Sequence, residues 1–169
     1  MERILVIGCA GSGKSTFASR LSAATGLPHI ERDALGPEGM PSTLRAIERA
    51  AAGSGWIFDG YPYYADHLVL PRADTVVIFD LPRRVVVRQV LMRTARVELT
   101  RRPVGAHEPQ GLRGLLDREH PVRWAWTSHA TRHIEGEALA AEQSGSRKIV
   151  IFRKNAAAET FLRSAADER

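Results

Sequence analysis

The chain has 169 residues, 44% hydrophobic and 25% charged, which excludes a disordered or collagen-like polypeptide and fits one ordinary domain spanning residues 1–169. No stretch approaches the roughly 20 apolar residues of a membrane span, and Met1-Glu2-Arg3 runs directly into a strand-like segment, so a cytoplasmic protein with no membrane partner is expected. A single cysteine, Cys9, excludes an internal disulfide and a cysteine zinc site, while a net charge of +5 raises the question of an anionic ligand.

In chain order, apolar runs rich in Val and Ile predict strands over Arg3 to Ile7, Pro28 to Glu31, Trp56 to Asp59, Thr75 to Asp80 and Lys148 to Arg153. Most are continuous and not alternating, as strands covered on both faces of a parallel sheet are. Helices are predicted between them over Lys14 to Thr25, Ser42 to Ala52 and, irregularly, Tyr61 to Arg72. Gly26 stands where a left-handed C-terminal cap belongs, and Pro82 near the first turn of a further helix. Alternating strands and helices give an α/β fold. The 67 residues from Leu81 to Arg147 show no strand and must hold an insertion: a basic helix over Val85 to Val97, a loop over Thr100 to Gly114 and helical composition over Leu115 to Ala141. A closing helix is expected over Asn155 to Ala166.

Charge is unevenly spread. Residues 83–132 carry eleven arginines against four acidic residues, a surplus of +7, leaving −2 for the rest. Arginine is the better bidentate partner for phosphate oxygens.

Gly8-Cys9-Ala10-Gly11-Ser12-Gly13-Lys14-Ser15 matches the phosphate-binding pattern G-x-x-x-x-G-K-[ST] at every fixed position, a match expected by chance roughly 0.002 times in a chain of this composition. It follows an apolar strand and opens a helix, which lets successive backbone amides wrap a polyphosphate. Gly8, Ala10, Gly11, Ser12, Gly13, Lys14, Ser15 and Thr16 are therefore read as nucleotide-binding, with Lys14 bridging β- and γ-phosphates and the Ser15 hydroxyl holding Mg²⁺. The metal also needs a carboxylate at the end of a neighbouring strand. Asp59 and Asp80 both qualify; Asp59 is preferred because Gly60 marks a strand end, while Asp80 before Leu81-Pro82 reads as a polar loop residue. Asp33, beyond the second strand, sits where open α/β sheets contact ligands.

Phosphoryl transfer builds negative charge that arginines can compensate. Arg88 and Arg93 are the preferred contacts, with Arg123 or Arg132 contributed from beyond the loop; Arg84 and Arg88 share a helix face by their spacing. Trp124 and Trp126 are read as core side chains, and no pair among the six histidines is read as a metal-ligand spacing within a helix.

At Gly8 to Thr16, Trp56 to Pro62 and Asp80 to Arg84 the sequence resembles the adenylate-kinase-like P-loop family. Within it, Arg3-Ile4-Leu5-Val6-Ile7-Gly8, Leu35, Trp56-Ile57-Phe58-Asp59-Gly60 and Leu70-Pro71-Arg72-Ala73-Asp74-Thr75 are most similar to small bacterial proteins described as DNA topology modulation proteins. The likeness covers most of residues 1–100. It implies a five-stranded parallel sheet of order 2-3-1-4-5, an acceptor-binding region about 33–53 and a basic lid about 98–118. It further implies a base site near Lys154-Asn155-Ala156, giving Asn155 a place in nucleotide binding, and Asp33, Asp59 and Tyr61 places in acceptor binding. Adenylate kinases carry Asp-Gly-Phe-Pro-Arg after the third strand, where the arginine grips the acceptor phosphate; here Asp59-Gly60-Tyr61-Pro62-Tyr63 ends in tyrosine. Only Arg32, Arg45 and Arg49 remain near that region as cations for a monophosphate.

The expectation is an ATP- and Mg²⁺-dependent phosphotransferase acting on a small-molecule acceptor, a monomer or weak dimer. The alternatives are a nucleic-acid-associated basic protein, which is not favoured, and a nucleotide-responsive switch with weak ATPase activity.

Overall fold

The structure, a computed structural model, describes residues 1–100, 120–141 and 147–167. Five parallel strands, β1 (Arg3–Gly8), β2 (His29–Glu31), β3 (Trp56–Asp59), β4 (Thr75–Phe79) and β5 (Lys148–Phe152), form one sheet in the order β2-β3-β1-β4-β5. Ile4 stands opposite Ile57 on one side and Thr75 on the other, and Val76 opposite Ile149. The helices are α1 (Lys14–Thr25), α2 (Pro41–Ala51), α3 (Asp66–Val69), α4 (Arg83–Thr100), α5 (Pro121–Ala141) and α6 (Asn155–Asp167), with 3-10 turns at Arg32–Leu35 and Leu70–Arg72.

Continuous apolar strands imply two buried faces, and the sheet has both. Ile4, Val6, Ile57, Val77, Phe79 and Phe152 pack under α1, α4 and α6, where Phe17 meets Phe79 and Phe152 edge-on with centroids 5.3 and 5.4 Å apart. Leu5, Ile7, Trp56, Phe58, Val76 and Ile78 pack against α2 and α3 on the opposite face. Alternate residues of each strand thus feed separate cores.

Local chemistry sets the helix ends. Gly26 closes α1 in the left-handed conformation (φ 77°) and donates its N–H to Ser22 O at 2.8 Å, as its position predicts. Pro41 is the first residue of α2, with its fixed φ ready for a helix. Helix α4 is longer than the predicted 85–97, since no residue up to Thr100 breaks it; Val86, Val90, Thr94 and Val97 make its buried stripe. Helix α5 begins at Pro121, where buried His120 caps it, its Nδ1 accepting the Val122 N–H at 3.2 Å. Residues 115–119 and the lid expected about 98–118, beyond Thr100, lie outside the described residues.

Two expectations are corrected. Trp124 and Trp126 are 52% and 55% exposed, not core, and Arg83 lies over the Trp126 ring at 5.0 Å. The histidines do include a helical pair, His129 and His133 on α5, whose i, i+4 spacing turns both toward the end of β4. No described helix is long and apolar enough to cross a membrane.

Candidate functional site

The chain leaves β1 for β2 and β3 on one side and for β4 and β5 on the other, so the carboxyl end of β1 is where an open α/β sheet offers a crevice. Gly8 to Lys14 turn there from β1 into α1. Gly11 (φ 82°) and Gly13 (φ 91°) adopt left-handed backbone, and a Cβ on Gly11 would stand 2.1 Å from Val90 Cγ2, so α4 presses directly on the loop. A Cβ on Gly13 would meet nothing within 4 Å: the rim of the loop is open. Helix α1 has no side-chain cap, which leaves the amides of its first turn for a ligand.

Within this turn Lys14 is half-buried, Ser15 and Thr16 are exposed, and Ala10 and Gly11 are partly covered. Ser12 is fully buried with an unpartnered Oγ. Burial pushes the Cys9 thiol above its usual range, and Lys14 acts in the opposite direction. Cys9 is thus a packing residue of the loop.

The two candidate metal carboxylates flank β1 and differ in their partners. Asp59 ends β3 opposite Val6, only 6% exposed; its Oδ1 has no hydrogen-bond partner and its Oδ2 lies 3.7 Å from His29 Nε2. Asp80, following β4, has both oxygens engaged, Oδ1 2.6 Å from His133 Nδ1 and Oδ2 accepting from Arg153 Nε at 3.4 Å. A buried carboxylate oxygen without a partner costs on the order of several kcal/mol and calls for a cation. The residues present therefore fit a divalent ion at Asp59 better than at Asp80. Asp80, His133 and Glu137 have ligand atoms within 4.8 Å of one another, and Arg153 already ties this trio together by donating to Glu137 at 2.7 Å and to Asp80.

On the β4 and β5 side, Arg84, Val85, Arg88, Gln89 and Met92 of α4 and Asn155 of α6 line a cavity of about 530 Å³. Arg88 and Asn155, distant in sequence, are brought together here. Gln89 also carries a buried Oε1 with no hydrogen-bond partner, which nothing in the sequence marks. Arg93 is exposed on α4 and is not among the described lining residues. Arg123 is exposed on the first turn of α5.

On the β2 and β3 side, Asp33 follows β2 in a 3-10 turn and is bound by Arg32 Nη1 at 2.8 Å; Arg32 Nη2 reaches Glu38 at 2.7 Å. Burial opposes the charge of Arg32, and these two carboxylates with Tyr64 outweigh it. Past β3, the Tyr61 and Tyr63 rings meet edge-on at 4.6 Å and Tyr61 OH donates to Asp66 at 3.4 Å. Arg132 reaches this side from α5: its guanidinium lies 4.1 Å from the Tyr63 ring centroid and donates to Glu135 at 2.7 Å. Tyr63 OH donates to the same Glu135 oxygen at 2.9 Å, and partial burial together with that bond pushes the phenol well above its ordinary range. Tyr63, Arg132 and Glu135 close over Ile7 and Gly8, leaving a cavity of about 10 Å³, room for one water.

Neither a scan against family models nor a comparison with curated proteins gives a match. Solved structures do match. A sugar kinase from Janibacter sp. HTCC2649 aligns with TM-score 0.51 and 18% identity, over 99% of this chain and 91% of that one. A gluconokinase from Sinorhizobium meliloti 1021 gives 0.56 and 20%, over 98% and 90%. A shikimate kinase from Bacteroides thetaiotaomicron gives 0.58 and 14%, over 99% and 97%. Five parallel strands in the order 2-3-1-4-5, flanked by helices and matched along nearly their whole length by these kinases, give this chain the fold of the P-loop kinases.

Proposed function

We propose that this chain is an ATP- and Mg²⁺-dependent phosphotransferase that moves the γ-phosphoryl group to a small-molecule acceptor. The observation that carries the reading is the Gly8 to Ser15 motif at the uncapped start of α1, with the unpartnered oxygen of Asp59 one strand away. First-turn amides and Lys14 hold the phosphates, and Ser15 and Asp59 hold the metal. Magnesium, when bound, neutralises phosphate charge and stabilises the leaving oxygen. Arg84 and Arg88 are placed along the cavity that Asn155 closes, so the base and its phosphates lie toward β4 and β5. Arg132 is assigned to the acceptor side, where it lines one small cavity with Tyr61 and Tyr63, and Asp33 is assigned to the acceptor from the turn after β2. The exposed arginines of α4 serve a polyphosphate in this reading, which favours it over a nucleic-acid-associated protein. Arg93 and Arg123 are assigned to charge compensation on the moving group. The likeness to the DNA topology modulation group covers most of residues 1–100 and lends no DNA activity; the activity assigned is phosphoryl transfer by a cytoplasmic monomer or weak dimer.

The test is transfer of label from γ-labelled ATP to candidate acceptors by the wild-type chain and by Lys14→Met. We expect labelled product from the wild type and a loss of about 10³-fold or more in the variant, with an unchanged circular dichroism spectrum. Equal turnover by the two proteins would eliminate the mechanism.

A further inference from the structure

Among the described residues, the charged groups offered to a ligand on the two sides of the phosphate loop are of opposite sign. Toward β4 and β5, Arg84 and Arg88 line an open cavity with no carboxylate among its described lining residues. Toward β2 and β3, among the described residues, the two guanidinium groups nearest the loop, those of Arg32 and Arg132, are already matched. Arg32 is 11% exposed and held between Asp33 and Glu38, which are 61% and 65% exposed, so the carboxylates and not the cation are presented to solvent. Arg132 is held by Glu135 and covered by the Tyr63 ring. Arg45 and Arg49 stand two residues past Thr43 and Ile47, the buried positions of α2, which turns them by about 200° onto its outer face. With Asp59 reserved for the metal, Asp33, Glu38, Asp66 and Glu135 remain against Arg32 and Arg132. Carboxylates accept hydrogen bonds from hydroxyl and ammonium groups and repel anions.

We infer that the acceptor is a polyhydroxyl compound carrying neither phosphate nor carboxylate, and this inference rests on the phosphotransferase reading above. In the step it implies, the acceptor hydroxyl oxygen bonds to the γ-phosphorus of ATP. The bond from that phosphorus to the β,γ-bridging oxygen breaks, its electron pair leaving on ADP, and the hydroxyl proton is released to solvent. The same arrangement gives a purpose to tyrosine at position 63: it shelters Arg132 against Glu135, where an arginine at that position would offer a free cation to a phosphate.

The experiment is a steady-state comparison with the full chain, ATP and Mg²⁺, over matched acceptors: glucose and glucosamine against gluconate and glucose 6-phosphate, and adenosine against AMP, extended to further sugar and polyol pairs of the same design. We expect kcat/KM for the non-anionic member of a productive pair to exceed that of its anionic counterpart at least tenfold. Glu38→Gln and Glu135→Gln, which release Arg32 and Arg132, should move that ratio about tenfold toward the anionic members. A preference for phosphate- or carboxylate-bearing acceptors overturns the inference, as does a ratio unmoved in both folded variants. Transfer to none of the pairs, with ATP still bound by calorimetry, overturns the acceptor class and leaves the nucleotide site standing. Absence of ATP binding removes the proposed function and this inference together.

Discussion

The β4 and β5 side of the loop and the β2 and β3 side are built by different means. The first is an open cavity of about 530 Å³ walled by one long helix, with arginines on its surface. On the second the cavity beside Gly8 is only about 10 Å³, and the described Arg32 and Arg132 are locked into pairs with carboxylates and tyrosine rings. An uncommitted guanidinium receives a polyanion at little cost, whereas one held by a carboxylate must first be separated from it. The same residue type is therefore free to bind an anion on one side and committed to organising the fold on the other.

The sharpest way to break this comparison is at the loop that divides the two sides. Gly11→Ala puts a Cβ on left-handed backbone and against Val90. A loss of about 3 kcal/mol in urea unfolding is expected, with nucleotide affinity falling as α4 is displaced. Next, Arg88→Ala should weaken ATP binding about tenfold, or about 1.4 kcal/mol, without changing acceptor KM. Asp33→Asn should do the reverse, altering acceptor KM and leaving ATP affinity unchanged; calorimetry and steady-state kinetics on both variants read the two sides separately. If Asp59 holds the metal as proposed, magnesium should raise the melting temperature of the wild type and fail to do so for Asp59→Asn, whose side chain lacks the unpartnered carboxylate oxygen an ion would satisfy.

The smallest effect belongs to a site remote from both sides. Asp74, before β4, accepts the backbone N–H groups of Glu2 and Arg3, both at 2.8 Å, and the Thr75 hydroxyl at 2.7 Å. Burial raises its carboxyl, and these hydrogen bonds outweigh that and hold it below the usual range. Because the folded-state value is the depressed one, its stabilisation is present above the ordinary carboxylate range and disappears as pH falls through the folded value. Asp74→Asn should cost about 1 kcal/mol at neutral pH, after allowance for solvent screening, and flatten the acid limb of a thermal denaturation series, with both ligand affinities unchanged.

The sheet and the loop were legible because their signals are local. Continuous Val and Ile runs mark strands covered twice, and the Gly8 to Ser15 spacing fixes a backbone shape whatever surrounds it. The partners across the cleft were not legible, because they depend on how α5 crosses the sheet. Nothing in the neighbourhood of Tyr63 announces that Glu135 and Arg132 will meet it. The pairing of His133 with Asp80 had a signal, the spacing of His129 and His133 in His-Ala-Thr-Arg-His, which shows its meaning only once the helix is seen over the end of β4. Trp124 and Trp126 read as core by residue type, yet α5 buries Ala125 between them and turns both indoles outward.

Helix α5 belongs to both cores: Val122 and Ala125 pack in the one beneath α4, while Leu139 and Ala140 pack in the other. Between them Gly136 passes so close to β4 that a methyl group there would stand 3.1 Å from Ile78. The helix between these anchors has 21 residues and is about 30 Å long. One crossbeam therefore shares its packing with α4 at one end and carries, near the other, the Glu135 that holds Tyr63.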